Sequence, residues 1–129
     1  MINYNNIIKD YDEKNLFGAI YILYSFNTYL NNKFSLSYFV SKMTLEEFEN
    51  FVDLGWNYYF SSKNKIFYYF LKKFGIDIKN NNIKINENYK DWDNKEEPYK
   101  ITKEIINRMK SITNKFDYSV IYNILLNEY

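Results

Sequence analysis

The order of apolar and polar residues divides this chain mainly into helices. Leu16–Leu30, LFGAIYILYSFNTYL, is apolar on nearly every side, and a helix of that kind has to be surrounded rather than laid on a surface. Ile20, Ile22 and Tyr24 alternating with Ala19, Tyr21 and Leu23 would also suit a strand buried on both faces. Fifteen residues exceed the usual strand, however. Read as a helix, Leu16, Ile20, Leu23, Asn27 and Leu30 share one face, and Phe17, Tyr21, Tyr24 and Thr28 form the next. Asp12 could cap the start with Glu13 in the first turn, and Asn31-Asn32 offers a stop. Gly18 costs about 1 kcal/mol of helix propensity relative to alanine, so it marks close approach by another helix.

Other helices follow from the same spacing. Ile2, Tyr4, Ile7, Ile8 and Tyr11 fit a short amphipathic helix, and Leu36, Tyr38, Phe39, Val40 and Met43 fit a helical turn. Thr44-Leu45-Glu46-Glu47 is a capping box, in which the threonine and the glutamate each satisfy the other's backbone amide. Leu45, Phe48, Phe51, Val52 and Trp56 continue at helical spacing. Whether this helix breaks at Gly55 or runs on to Ser61-Ser62 stays open. Lys65–Phe74 reads as a further helix, because Lys72-Lys73 followed by Gly75 is a stop signal. Pro98 suits the first turn of a helix carrying the stripe Ile101, Ile105, Met109, Ile112 and Phe116, with Glu104 and Arg108 able to pair at i,i+4. Asp117 is placed to cap a last helix through Tyr129.

One segment changes period. Ile76-Asp77-Ile78-Lys79, Asn80-Asn81-Asn82 and Ile83-Lys84-Ile85-Asn86 alternate in twos around three asparagines, which predicts a small β-hairpin near residues 76–86 with its isoleucines resting on the helices. Glu87–Pro98, ENYKDWDNKEEP, has no period and reads as the long loop. The expectation is a mainly α fold: one compact helical bundle over residues 1–129, with five to seven helices and that hairpin.

Composition thickens the core without naming a function. Of the 129 residues 47% are hydrophobic, and they include 15 tyrosines and 11 phenylalanines. Each buried tyrosine hydroxyl needs a partner or a route to water, so many of these rings belong at the boundary of the core or in an interface. Abundant Asn, Ile, Lys and Tyr share A/T-rich codons, and the lysines are discounted accordingly as signs of function. The opening residues, MINYNNIIKDYDEKN, lack the basic-then-apolar order of a secretory signal, and no apolar run is long enough to span a bilayer. A cytoplasmic protein with no membrane partner is expected.

The chain has no cysteine and no histidine. The thiolate nucleophile, the commonest general base and the usual zinc ligands are therefore missing. The three glycines are isolated, so no phosphate-cradling loop exists. What survives is carboxylate chemistry, with Asp91 and Asp93 or Glu96 and Glu97 sharing a cation, or a Ser–Lys arrangement drawn from Ser61, Ser62, Lys63 and Lys65. None of these has a motif behind it. The chain is read as a non-enzyme with no cofactor and no metal.

Charge is segregated along the chain. Residues 61–90 hold seven lysines against Asp77 and Glu87, whereas residues 1–60 hold four lysines against seven acids. Two candidate surfaces follow. In the acidic loop, Asp91, Trp92, Asp93, Glu96 and Glu97 combine an aromatic anchor with carboxylates that would complement a basic partner protein; alternatively Trp92 folds back and pins the loop. In the basic segment, Lys63, Lys65, Lys72 and Lys73 with interleaved tyrosines could follow a nucleic-acid backbone. Against the second stand a net charge of +1 and a single arginine. The leading expectation is a non-catalytic intracellular protein-binding module, an inhibitor or neutraliser of the immunity-protein, antitoxin or anti-defence type. A nucleic-acid-binding protein and a viral helical-bundle regulator of host proteins are the alternatives, and the surplus aromatics leave a homo-oligomer open.

Overall fold

The computed structural model describes residues 2–129, and among them the chain forms nine helical segments and no strand. They are α1 (Tyr4–Ile7), α2 (Tyr11–Tyr29), α3 (Leu36–Ser41), α4 (Leu45–Asp53), α5 (Gly55–Phe60), α6 (Lys63–Lys73), α7 (Tyr89–Trp92), α8 (Glu96–Lys110) and α9 (Tyr118–Glu128). Two of these, α1 and α7, are single turns of four residues. The fold is mainly α, as the periodicity predicts.

Helix α2 is the axis of the bundle. Asn15 through Leu23, Ser25 and Phe26 are all buried, and α3, α4, α5, α7 and α8 pack around it. Its start lies earlier than expected, because Asp10 rather than Asp12 is the N-cap, its Oδ1 accepting from the Glu13 amide at 3.0 Å. Asp12 and Glu13 then occupy the first turn. The two faces read from the sequence correspond to two clusters only in part, because Tyr24 of the second face packs against the main one. Leu16, Ile20, Leu23, Phe26 and Leu30 belong to the main core. Phe17 and Tyr21 join Tyr4 and Ile8 in a smaller one, flanked by Trp56, Tyr59 and Tyr99.

Gly18 does mark a close approach. A Cβ there would lie 2.0 Å from the carbonyl oxygen of Gly55, and one on Gly55 would lie 1.8 Å from that of Asn15. The backbones of α2 and α5 therefore cross in direct contact. Asn15, buried at this crossing, accepts from the Trp56 amide at 3.1 Å and supplies the cap that α5 lacks from its own residues. The question of where the helix after Thr44 breaks has a double answer: α4 ends at Asp53, and α5, starting at Gly55, ends at Phe60. The capping box of Thr44 and Glu47 is formed as read.

Two helix ends share one device. At the end of α2 the Asn32 amide donates to Asn27 O at 2.8 Å and the Asn31 amide to Thr28 O at 2.9 Å, with Asn31 at φ 55°. After α6 the Ile76 amide donates to Leu71 O at 2.9 Å and the Gly75 amide to Lys72 O at 3.2 Å, with Gly75 at φ 63°. Both are Schellman closures, which need a left-handed residue just past the helix. Asparagine supplies it in one and glycine in the other.

The expected hairpin over residues 76–86 is absent. Its amides find other acceptors: Asn81 N donates to Asp77 O at 3.1 Å, Asn80 N to Asp77 Oδ1 at 3.1 Å and Ile83 N to Ile78 O at 3.0 Å. The first arm thus curls into a turn around Asp77. The second arm runs past the end of α2, where Asn86 N donates to Tyr29 O at 2.9 Å and the Asn31 side chain donates to Lys84 O. Only the bond from Ile83 N to Ile78 O joins the two arms among these, and no ladder follows from it. The isoleucines nevertheless point inward as a set: Ile76 and Ile83 are core residues, and Ile78 and Ile85 pack against the core.

At the C-terminal side, α8 buries Ile101, Ile105 and Met109. It ends at Lys110, before the stripe is complete, so Ile112 is exposed. Glu104 and Arg108 do not pair with each other as expected. Both turn to the last turn of the chain, Glu104 accepting from the Tyr129 hydroxyl at 2.8 Å and Arg108 pairing with Glu128. Asp117 caps α9, as its position predicts.

Candidate binding face

The acidic loop and the basic helix meet in space and are not alike. Trp92 is not a surface anchor. It is 6% exposed, its indole N–H donates to Asn86 O at 3.0 Å, and its ring stands edge-on to Phe67 at 5.2 Å. The physical reason is local: α7 ends on Trp92, and the large ring finds an apolar floor between α2 and α6, with Tyr29 6.2 Å away on the other side. Trp92 pins the loop, the second of the two readings its sequence allows.

Asp93 follows Trp92 inward. Its carboxylate accepts from the Tyr21 hydroxyl and lies 3.3 Å from Lys63 Nζ and 3.8 Å from Lys95 Nζ. Burial works against the charge, but the Tyr21 hydroxyl and the two ammonium groups outweigh it and hold the Asp93 carboxyl below the usual carboxylate range. Burial first, and then the bond to Asp93, push the Tyr21 hydroxyl far above the ordinary phenol range, so it stays a neutral donor. Lys63 is consumed in the same network. Its side chain is 11% exposed, and its ammonium also sits 5.0 Å from the Tyr21 ring centroid and 5.6 Å from that of Tyr89. Lys63 therefore leaves the basic surface to which its sequence assigned it, and Asp93 leaves the acidic one.

What remains of the acidic loop is Asp91, Glu96 and Glu97, all exposed. Asp91 accepts from the Asn86 side chain at 3.1 Å. Glu96 and Glu97 lie in the first turn of α8, where negative charge suits the helix end. Of the Ser–Lys set, Ser61, Ser62 and Lys63 line one depression, where Ser61 Oγ donates to Asn57 O at 2.8 Å and Lys63 is committed to Asp93. No group of three metal-ligating side chains converges among the described residues.

The outer face of α6 is the opposite case. Helix α6, KNKIFYYFLKK, contains no acid. Phe67 and Phe70 point inward and reach Phe26 at 5.5 and 5.3 Å between ring centroids. The helix is thus anchored through rings on one side, and the other side faces water. There Tyr68 and Tyr69 are 63% and 48% exposed. Lys72 Nζ lies 4.6 Å above the Tyr68 ring, and Lys73 Nζ lies 6.0 Å from that of Tyr69. Lys65, also exposed, sits in the first turn, where a cation is unfavourable to the helix dipole. Beside this face lies a shallow depression lined by Tyr68, Leu71, Lys72, Ile76, Ile78 and Lys79, open above Gly75 because no atom lies within 4 Å of the place its Cβ would occupy.

Of the predicted site residues, Lys65, Lys72 and Lys73 therefore share one exposed face. The sequence reading missed the depression beside it, and it left the tyrosines interleaved with these lysines, Tyr68 and Tyr69, undecided between surface and core. The one available signal was the spacing: Phe67, Phe70 and Phe74 already complete an inward stripe without either tyrosine. No helix among the described residues is long and apolar enough to cross a membrane. Comparison with known proteins finds no matching family model, no matching curated protein and no matching solved structure.

Proposed function

We propose that this chain is a non-catalytic protein-binding module of the inhibitor or neutraliser kind, and that it meets its partner through the outer face of α6 rather than through the loop at residues 91–97. The observation that carries this reading is the pair Tyr68 and Tyr69, adjacent, roughly half or more in water and framed by lysines. Nine of the other tyrosines are half-buried at the edge of the core, where the ring is covered and the hydroxyl reaches a partner or solvent. Tyr68 and Tyr69, like Tyr11 and Tyr89, are exposed instead, although Tyr69 still lies 5.9 Å from the Phe70 ring. Tyrosine on a rigid helix is a favoured anchor for protein contact, because it brings a large area at little entropic cost. An immunity protein, antitoxin or anti-defence protein that works by surface complementarity would use this face in the same way. The net charge of +1 and the single arginine disfavour a polynucleotide, for which affinity scales with the number of phosphates neutralised.

The test is affinity capture from lysate of the natural setting at low salt, with and without nuclease, using the tagged wild type and the double variant Tyr68→Ala/Tyr69→Ala. One stoichiometric protein that survives nuclease and is lost from the double variant supports the reading. Recovery of the same protein by the double variant removes α6 from it. Material that disappears on nuclease treatment transfers the function to nucleic-acid binding by Lys65, Lys72 and Lys73.

A further inference from the structure

The depression between α6 and the turn that follows it has a definite chemistry. Its floor is apolar, formed by Leu71, Ile76 and Ile78, and Lys72 and Lys79 stand at its rim. The acid in its wall, Asp77, is already engaged: its two carboxylate oxygens accept from the Asn80 amide at 3.1 Å and the Asn80 side chain at 2.9 Å. Asp77 is thereby committed to holding its own turn. Asp77 keeps its charge, but Lys72 and Lys79 outnumber it, so the lining as a whole is cationic. Gly75, left-handed at φ 63° and without a side chain, keeps the depression open to solvent.

Resting on the reading above that α6 is the working face, we infer that the element seated there is an acidic protein segment with an apolar side chain among its carboxylates. The apolar side chain enters the floor, and the carboxylates meet Lys72 and Lys79. Two observations separate this occupant from single-stranded nucleic acid. Bases bind such surfaces by stacking on ring faces, and the face of Tyr68 already carries the ammonium of Lys72 at 4.6 Å. The floor of Leu71, Ile76 and Ile78 suits an apolar side chain and has no use for a sugar–phosphate backbone.

The experiment is a backbone amide NMR titration of the full chain with four probes: a capped peptide of three glutamates, one leucine and three glutamates; its all-glutamine counterpart; the glutamate peptide with serine for leucine; and a heptameric oligothymidylate. The expected result is saturable shifts confined to residues 65–79 with the glutamate–leucine peptide. Affinity should be at least tenfold weaker for each of the other probes, and at least tenfold weaker for the Lys72→Gln/Lys79→Gln variant, whose helical content is checked by circular dichroism. Shifts spread over all lysines, no saturation, equal binding of the glutamine peptide, or tighter binding of the oligothymidylate each overturn the inference. The two levels fail separately. If the double tyrosine variant loses the natural partner while the glutamate peptide is ignored, the acidic segment is wrong and the face stands. If the double variant keeps that partner, the face itself is wrong.

Discussion

Residues 65–73, KIFYYFLKK, and residues 89–97, YKDWDNKEE, look alike on paper: aromatics set among charges, next to one another in the fold. They end in opposite situations. In the second stretch the ring is buried, and the central acid accepts from Tyr21 and is paired with Lys63 and Lys95. In the first, the two tyrosines and the lysines over them remain in water. The difference lies in charge sign. A loop carrying both signs, facing a lysine at the start of α6, can satisfy its charges within the molecule. A helix with four lysines and no acid spends Lys63 on that loop, and its other three lysines are available to something outside.

The largest effect that would break this comparison comes from Trp92. Trp92→Ala removes a ring held between Phe67, Tyr29 and Tyr89 and leaves a cavity, for an expected loss of about 3–5 kcal/mol in urea unfolding. A loss below about 0.5 kcal/mol, the range of an ordinary surface substitution, would return Trp92 to the surface and restore the loop as a candidate interface.

Next in size is Asp93→Asn. It leaves Lys63, 11% exposed, without its counter-charge, and about 1–3 kcal/mol should be lost. The sign of the pH dependence is fixed by the depressed carboxyl. The unfolded chain takes up the proton near the ordinary aspartate value of about 4, while the folded chain resists it to lower pH. The stabilisation from Asp93 is therefore fully present above that value and is lost as pH falls through the folded one. Measured as the difference between wild type and Asp93→Asn, the advantage of wild type should be flat above about pH 5 and shrink below pH 4. An advantage that grows on acidification would mean that the carboxyl is not held charged by its neighbours.

How much of this was legible in sequence divides along the same line. Periodicity and end signals report on the backbone within a few residues, so Thr44, Asp117, Gly75 and the surrounded Leu16–Leu30 were readable. So was the close approach at Gly18, though not that Gly55 and the Asn15 cap complete it. The β-hairpin failed because alternation records which side chains face inward, and it was right about the four isoleucines. It cannot record where the amides bond, and here Asp77 and the end of α2 captured them. The fates of Trp92, Asp93 and Lys63 depended on contacts between residues as far apart as Tyr21 and Asp93. No local pattern carries that information.

Third in size for the fold, and first for binding, is Tyr68→Ala/Tyr69→Ala. Neither ring fills space in the core, so stability should move by no more than about 0.5 kcal/mol per site, while partner capture is lost. A large loss of stability would show that the rings hold α6 in place and would dissolve the contrast between the two stretches.

The smallest expected effect belongs to Glu96→Gln/Glu97→Gln, and it is the sharpest control because these are charges that the acidic loop keeps exposed. Both lie in the first turn of α8, so neutralising them weakens the favourable interaction with the helix dipole by a few tenths of a kcal/mol each. No other element depends on them in the way the loop depends on Asp93. If the contrast holds, thermal unfolding shifts slightly and the partner is retained at unchanged affinity. A tenfold loss of affinity, about 1.4 kcal/mol, without a matching loss of stability would mean that the exposed remnant of the acidic loop makes the contact after all. The partner surface would then have to be basic rather than acidic.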